Sequence, residues 1–268
     1  MKRDYTFDVE KVTKDCIQWI KNWFEKNGPG CNAVIGISGG KDSTIVTKLC
    51  VEALGADRVI GVAMPDNGQG TNEADKIAEY LGIKYMVTPI DGVVAEFHKV
   101  WNDQGSDVKW SKQSEQNIPP RVRMTMLYAL SQTFNGRVAN TCNLSEDFVG
   151  YATLFGDAAG SFAPLSQLTV TEIYQIGDYL GLPYEWVHKI PDDGLPHSSS
   201  DEQKFGFSYA ELDRYIREGI EPEGVCENNP DELKVDKIDR MHRNNKFKTE
   251  IVQIPHFDPL VEVFDLEL

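Results

Sequence analysis

"GISGGKDST" occupies Gly36 to Thr44 and follows the apolar "AVI" of residues 33–35. Behind it come Ile45, Val46, Leu49, Cys50 and Ala53 at helical spacing. An apolar run, a glycine turn and an amphipathic run read as strand, loop and helix. In that setting the N–H groups of the loop and the N-terminus of the helix converge on one spot, which is an anion site. Gly39 and Gly40 are expected to supply the positive φ that such a nest uses. Ser38 and Ser43 add hydroxyls, and Lys41 adds a positive charge or is a solvated first-turn residue. The spacing is not that of a P-loop, because Asp42 follows Gly40-Lys41 where that motif carries Ser or Thr, and Ile35 stands where it needs a glycine. Asp42 would repel a phosphate unless a cation lay between them. Mg2+ shared by a carboxylate and phosphate oxygens resolves the conflict.

The pattern around the loop sets the fold class. Helical spacing covers residues 8–26, with Val9, Val12, Cys16, Ile20 and Trp23 on one face. "CNAVIGI" (31–37), "RVIGVAM" (58–64), "IKYMVTPI" (83–90) and "GRVANTC" (136–142) read as four strands. A helix carrying Ala74, Ile77, Ala78 and Leu81 lies between the second and third. Alternating strands and helices predict an α/β fold, an open parallel sheet with helices on both faces and its ligand loops along one edge. The polar residues 102–117 are expected as a loop, and Asn117-Ile118-Pro119-Pro120 as the opening of a helix carrying Val122, Met126, Leu130 and Phe134. Thr169 and Glu172 stand at capping-box spacing for a helix over 169–181. Residues 191–204 are rich in turn formers and read as mobile. Asn229, Pro230 and Glu232 are expected to start a late helix with Ile238 and Met241. No linker interrupts the chain, so 1–268 reads as one domain, with 205–268 as its helical C-terminal extension.

The net charge of −15 in 268 residues, without a basic run, disfavours nucleic acid and anionic membrane surfaces as partners. "MKRDYTFDVEKV" is charged and has no apolar core, so no secretory signal is expected, and no apolar run is long enough to span a bilayer. The five cysteines include no C-x-x-C pair, which speaks against zinc or dithiol chemistry. Cys16 and Cys50 fall at apolar helical positions and read as small buried hydrophobes in a reducing cytoplasm. No Ser/His/Asp or Cys/His arrangement offers a nucleophile.

"SGGKDS" after the first strand resembles the pyrophosphate loop of the N-type ATP pyrophosphatases, whose fold is of the adenine nucleotide alpha hydrolase kind. The succession "NIPPRVRM" (117–124), "NTCNLSEDFVGYATLFGD" (140–157), "PLSQLTVTEI" (164–173) and "FGFSYAELDRYI" (205–216) resembles the ammonia-dependent NAD synthetase family over nearly the whole chain. The resemblance implies that the carboxylate of nicotinic acid adenine dinucleotide (deamido-NAD) attacks the α-phosphate of ATP and pyrophosphate leaves. Ammonia then converts the acyl-adenylate to NAD and AMP. Carried over by position, Gly36, Ser38, Gly39, Gly40, Lys41, Asp42 and Ser43 form the ATP loop, with Gln69, Thr141 and Ser200 as further ATP contacts. Asp42 and Glu146 correspond to the Mg2+ ligands. Arg121, Asp157, Asn245 and Lys246 correspond to the dinucleotide site, and a homodimer is implied. Read on the residues alone, Arg121 and Arg123 are as well explained as solvated, and Glu146 as a first-turn acid that complements a helix dipole. The five histidines are scattered without ligand spacing.

Several positions depart from the family pattern. Leu154 and Val170 stand where lysines are common, Ser161 where an aspartate is, Ala63 where a basic residue is and Ser200 where a threonine is. Asn245-Lys246 replaces a His-Lys pair. Two missing lysines weaken the expected grip on phosphate, each charge-assisted contact being worth roughly 1.5–3 kcal/mol, unless Lys246 or Lys248 compensates. The departures keep open a paralogue that amidates another carboxylic acid. Two further alternatives are a tRNA-thiolation enzyme, which the acidic charge opposes, and a non-catalytic adenine-nucleotide-binding module. A glutaminase domain would need its own nucleophile and more chain, so ammonia is expected from solution or a partner protein.

Overall fold

The computed structural model describes residues 5–103, 109–189, 200–251 and 253–260. Its first helix, α1 (Val9–Asn27), starts where the Asp8 carboxylate accepts the Lys11 N–H at 3.0 Å. It buries Val12, Cys16, Ile20 and Phe24. There follow β1 (Asn32–Gly36), α2 (Lys41–Leu54), β2 (Val59–Ala63), α3 (Asn72–Leu81), β3 (Lys84–Val87), α4 (Asp91–Asp103), α5 (Lys112–Thr133) and β4 (Gly136–Val138). The four strands form one parallel sheet in the order β3-β2-β1-β4. Side chains alternate across β1, and both faces are covered. Ala33 and Ile35 join a cluster with residues of α1 and α2, while Val34 joins Ile60, Val62, Val94, Ile118 and Val122 beneath α4 and α5. A strand buried on both faces reads as a continuous apolar run, which is why "AVIGI" lacks polar alternation.

The sheet order decides where ligands go. From β1 the chain steps one way to β2 and β3, then α4 and α5 carry it back to β4 on the other side of β1. The connections after β1 and β4 therefore part in opposite directions, and a crevice opens at the carboxyl ends of these two strands.

Beyond β4 lie α6 (Leu144–Val149), α7 (Val170–Tyr179), α8 (Tyr184–Val187), α9 (Asp201–Phe205) and α10 (Tyr209–Glu218). The two-stranded β5 (Val225–Cys226) and β6 (Asn229–Leu233), then α11 (Lys234–Asn245) and α12 (Phe247–Ile251), complete the described chain. Three sequence expectations change. Of the loop expected over 102–117, residues 104–108 lie outside the described residues, while 102–103 end α4 and 112–117 begin α5, which is capped by the Ser111 hydroxyl on the Ser114 N–H at 3.1 Å. Pro119 and Pro120 lie inside α5 rather than opening it, and burial of Ile118 and Val122 keeps the helix running through them. Asn229-Pro230 belongs to an antiparallel strand pair, so the late helix begins at Lys234 and the C-terminal region is not wholly helical. Of the stretch 191–204, only 200–204 falls within the described residues, and 201–204 are helical.

The capping box of Thr169 and Glu172 forms as the spacing predicts. Glu172 has a second role. Arg217 from α10 donates to both its carboxylate oxygens, at 2.7 and 2.8 Å, and to the Gln167 carbonyl at 2.7 Å. The side chains of Arg217 and Glu172 are 2% and 1% exposed, and the Tyr5 hydroxyl also donates to Glu172. Removing one partner of such a pair strands a charge. Arg217→Ala is expected to cost about 3–5 kcal/mol of unfolding free energy, read by urea titration. Under about 1 kcal/mol would show that the pair contributes no more than a surface bridge.

Candidate active site

The first wall of the crevice is the loop between β1 and α2. Gly39 takes φ +79°, and a Cβ there would stand 3.0 Å from the Glu73 Cβ. Gly40 has φ −88° and serves as the N-cap of α2, so only one of the two glycines uses the left-handed region. The serines brace the turn. Gly40 N–H donates to the Ser38 hydroxyl at 3.2 Å, Ser38 N–H to the Ser43 hydroxyl at 3.3 Å, and Ser43 in turn to the Gly40 carbonyl at 3.2 Å. These bonds hold the loop at the positive end of α2, which is where an anion is stabilised. Gly36 closes β1 beneath it.

Lys41 and Asp42 open α2 side by side. Lys41 is not solvated. Its side chain is 3% exposed, and its ammonium lies 2.8 Å from Asp42 Oδ2. It also stands 6.0 and 5.8 Å from the ring centres of Tyr174 and Tyr209. Burial works against its charge, but Asp42 and Glu146 outweigh burial and hold the ammonium protonated above the usual lysine range.

The facing wall is the turn after β4 and helix α6. Asn143 is fully buried and caps α6 by accepting the Glu146 N–H at 3.0 Å, while its amide donates to Asp42 Oδ1 at 3.4 Å. One side chain thus ties both walls together. Glu146 lies half-buried on the first turn of α6. Burial and then the Asp42 charge push its carboxyl well above the ordinary range, against the pull of Lys41. A carboxyl that burial and a neighbouring carboxylate keep from ionising marks a place for a cation. Helix α6 is fixed from behind. Ser145 donates to Asp213 and accepts the Val170 N–H at 3.0 Å, Asp213 also accepts the Thr171 N–H at 2.8 Å, and Leu144 N–H reaches the Leu168 carbonyl at 2.9 Å. Tyr209 keeps a buried hydroxyl without a hydrogen-bond partner, and the charges of Glu146, Asp201 and Asp42 act on it.

Among the described residues, no group of three or more His, Cys, Asp or Glu forms a ready-made metal cage. Asp42 and Glu146 offer hard carboxylate oxygens from the first turns of two helices. That donor set fits Mg2+, which commonly takes one or two carboxylates and completes its shell with phosphate and water.

The other sequence-derived residues fall into two groups. Gln69 follows β2, and its carbonyl oxygen accepts from Arg123 at 3.2 Å and from the Asp66 N–H at 3.3 Å. Arg123 also donates to the Met64 carbonyl at 3.0 Å, so this arginine is anchored rather than solvated. Thr141 lies half-buried in the turn after β4, two residues before Asn143. Ser200 caps α9 through the Gln203 N–H at 3.3 Å. The second group gathers on residues 149–157. Arg121 donates to the Leu154 carbonyl at 3.3 Å, and Asp157 accepts the Thr153 N–H at 2.8 Å. Asn245 donates to the Val149 carbonyl at 3.3 Å, and Lys248 to the carbonyls of Gly150 and Ala152 at 2.6 and 3.0 Å. Lys246 is exposed, so of the two cations weighed as replacements only Lys248 touches this segment. Sequence reasoning missed Asn143, Ser145, Asp213 and Tyr209. Asn143 had a signal, since an Asn three residues before a Glu at a helix start is a capping pattern. The other three act through long-range contacts that no local spacing encodes.

All five cysteines are free and buried. Burial pushes the thiols of Cys16 and Cys50 far up, which leaves them inert as nucleophiles.

Comparison with known proteins agrees with this arrangement. The family model described as NAD synthase matches residues 12–252. The chain is 36% identical over 214 residues to the NH(3)-dependent NAD(+) synthetase of Archaeoglobus fulgidus, covering 78% of this chain and 84% of that one. It is 33% identical over 260 residues to the Pyrococcus furiosus enzyme of the same description, covering 95% and 97%. Among solved structures, NMN synthetase from Francisella tularensis superposes with a TM-score of 0.79 at 26% identity, covering 94% of this chain and all of that one. The NH3-dependent NAD synthetase of Campylobacter jejuni superposes at 0.70 with 25% identity, covering 92% and 99%. These matches place the chain in the NAD synthase family, ligases that form a carbon–nitrogen bond.

Proposed function

We propose that the chain amidates deamido-NAD with ammonia, using ATP, through an acyl-adenylate. The observation that carries this reading is the juxtaposition of the α2 loop and α6 across the crevice, joined by Asn143 between Asp42 and the Glu146 N–H. The substrate carboxylate attacks the α-phosphorus, and the bond to the β-phosphate oxygen breaks. Pyrophosphate leaves with the electron pair. The nitrogen lone pair of ammonia then attacks the acyl carbon, AMP departs and the surplus proton is lost to solvent. Such transfers depend on position and charge neutralisation more than on a covalent protein group.

Each residue then has a defined task. The N–H groups of Gly39 and Gly40, the hydroxyls of Ser38 and Ser43 and the N-terminus of α2 receive the departing pyrophosphate, with Gly36 at the end of β1 where the loop begins. Asp42 and Glu146 would hold Mg2+. That ion neutralises phosphate charge when bound. Gln69, set by Arg123, lies near the adenine, and Thr141 and Ser200 contact the nucleotide. Arg121, Asp157, Asn245 and Lys246 serve the acid substrate beside segment 149–157. We further propose that the chain acts in the cytoplasm as a homodimer, and that residues 1–268 form one unit with 205–268 as its extension. Support for the dimer is the exposed apolar side of α4, where Phe97 and Val100 are 50% and 54% exposed. Among the described residues, no helix is long and apolar enough to cross a membrane.

One observation favours a second reading. NMN synthetase of F. tularensis superposes over 94% of this chain, and Leu154, Ser161 and Val170 depart from the family pattern. The second reading is amidation of the mononucleotide acid. Incubation with ATP, Mg2+ and ammonium and either acid, scored by pyrophosphate and amide product, separates the two. The dinucleotide is expected to give the higher kcat/KM. Turnover confined to the mononucleotide would reassign the substrate, and turnover of neither would sink the amidation.

Two substitutions probe the centre. Asp42→Asn should abolish NAD formation at temperatures where circular dichroism shows the fold intact, with a lowered thermal midpoint because the buried Lys41 ammonium loses its partner, and near-normal turnover would remove Asp42 from the cation site. Asn143→Ala removes a helix cap worth about 0.5–2 kcal/mol and frees both walls. Product formation should fall at least about ten-fold, one transition-state increment of about 1.4 kcal/mol, at temperatures where circular dichroism shows the fold intact. An unchanged rate would confine Asn143 to the cap.

A further inference from the structure

Lys41 carries a consequence beyond its place in the anion loop. Its ammonium is buried, 2.8 Å from Asp42 Oδ2, and the charge of Glu146 acts on it as well. The rings of Tyr174 and Tyr209 stand at 6.0 and 5.8 Å, so aromatic faces rather than water cover the stem and head. Asp42 is less enclosed, its side chain 19% exposed, with its other oxygen on Asn143. The ammonium therefore already neutralises Asp42, one of the two acids proposed to hold the divalent cation, and lies within reach of the charge of the other.

We infer that Lys41 is a resident counter-cation for the Asp42/Glu146 pair, which keeps free divalent metal out and makes metal entry depend on the nucleotide. The inference rests on the proposed metal role of those two residues. The physics is competition for one pair of charges. A divalent ion arriving alone meets a carboxylate pair that holds one positive charge at contact distance, and it must displace or repel a buried ammonium. A nucleotide changes the balance, because its phosphates bring enough negative charge for both cations. Lys41 can then serve the phosphate from the start of α2, where a cation is otherwise disfavoured by the helix dipole. This gives Lys41 a phosphate-side role in a chain where Leu154 and Val170 lack the expected lysines.

The test is Mn2+ binding to the full chain, followed by electron paramagnetic resonance of the free ion, with and without a non-hydrolysable ATP analogue. Wild type should bind Mn2+ weakly alone and much more tightly with the analogue. Lys41→Gln and Lys41→Met should bind Mn2+ alone on the order of ten-fold more tightly or better, as expected for removing one charge at a partly screened site, and should lose most of the gain from the nucleotide. Lys41→Arg should behave as wild type. Thermal midpoints with and without Mn2+ give a second readout: the Gln and Met variants should be stabilised by the metal alone, and wild type should not. Equal Mn2+ affinity in wild type and both neutral variants would overturn the inference and leave the proposed function standing. Failure of wild type to bind Mn2+ even with the analogue would overturn both.

Discussion

The active-site geometry depends on one constraint, the central position of β1. In the order β3-β2-β1-β4 the connections after β1 and β4 diverge, and the backbone groups at those two strand ends face one crevice. A loop of small residues on one side and a polar turn on the other are therefore brought together by topology, although Asp42 and Glu146 are far apart in sequence. Asn143 converts that proximity into a fixed geometry. Fully buried, it holds the start of α6 and the side chain of Asp42 at once.

Polar contacts behind α6 hold this geometry where the sheet no longer reaches. Helix α6 has only six residues and few contacts with the strands. It is held by Ser145, Asp213, Thr171 and Val170, which join it to α7 and α10, and α7 and α10 are joined by Glu172 and Arg217. The C-terminal helices thus form the support of the second carboxylate. Buried polar networks of this kind are costly unless complete. Here most members have partners, and the unpartnered Tyr209 hydroxyl stands where the acids and Lys41 meet.

Much of the fold was legible in the sequence because parallel sheets bury both strand faces. Uninterrupted apolar runs such as "AVIGI" and "RVIGVAM", separated by amphipathic helices, have few other solutions. The errors have local causes. Pro119 and Pro120 are strong helix-start signals, yet burial of Ile118 and Val122 carries α5 through them. Asn229-Pro230 has a capping appearance, but pairing with Val225-Cys226 competes successfully for its backbone. Gly40 was grouped with Gly39, whereas only Gly39 occupies the left-handed region because Gly40 must already adopt the extended conformation of an N-cap.

The sequence by itself determined the class of the protein: an α/β sheet, a pyrophosphate-type loop with an acid inside it, and an ordered series of motifs resembling the NAD synthetases. Those features are local in the chain: the sheet follows from periodicity and backbone preference, and the loop type and motif series from resemblance to a known family. Only the tertiary structure decided the state of Lys41. At the first turn of a helix a lysine is equally compatible with solvent or with a site, and the choice is made by Tyr174, Tyr209 and Glu146, which arrive from distant elements. The same holds for Arg123, which proved anchored on Gln69 and Met64. Charge placement depends on burial, and burial is a property of the packed whole.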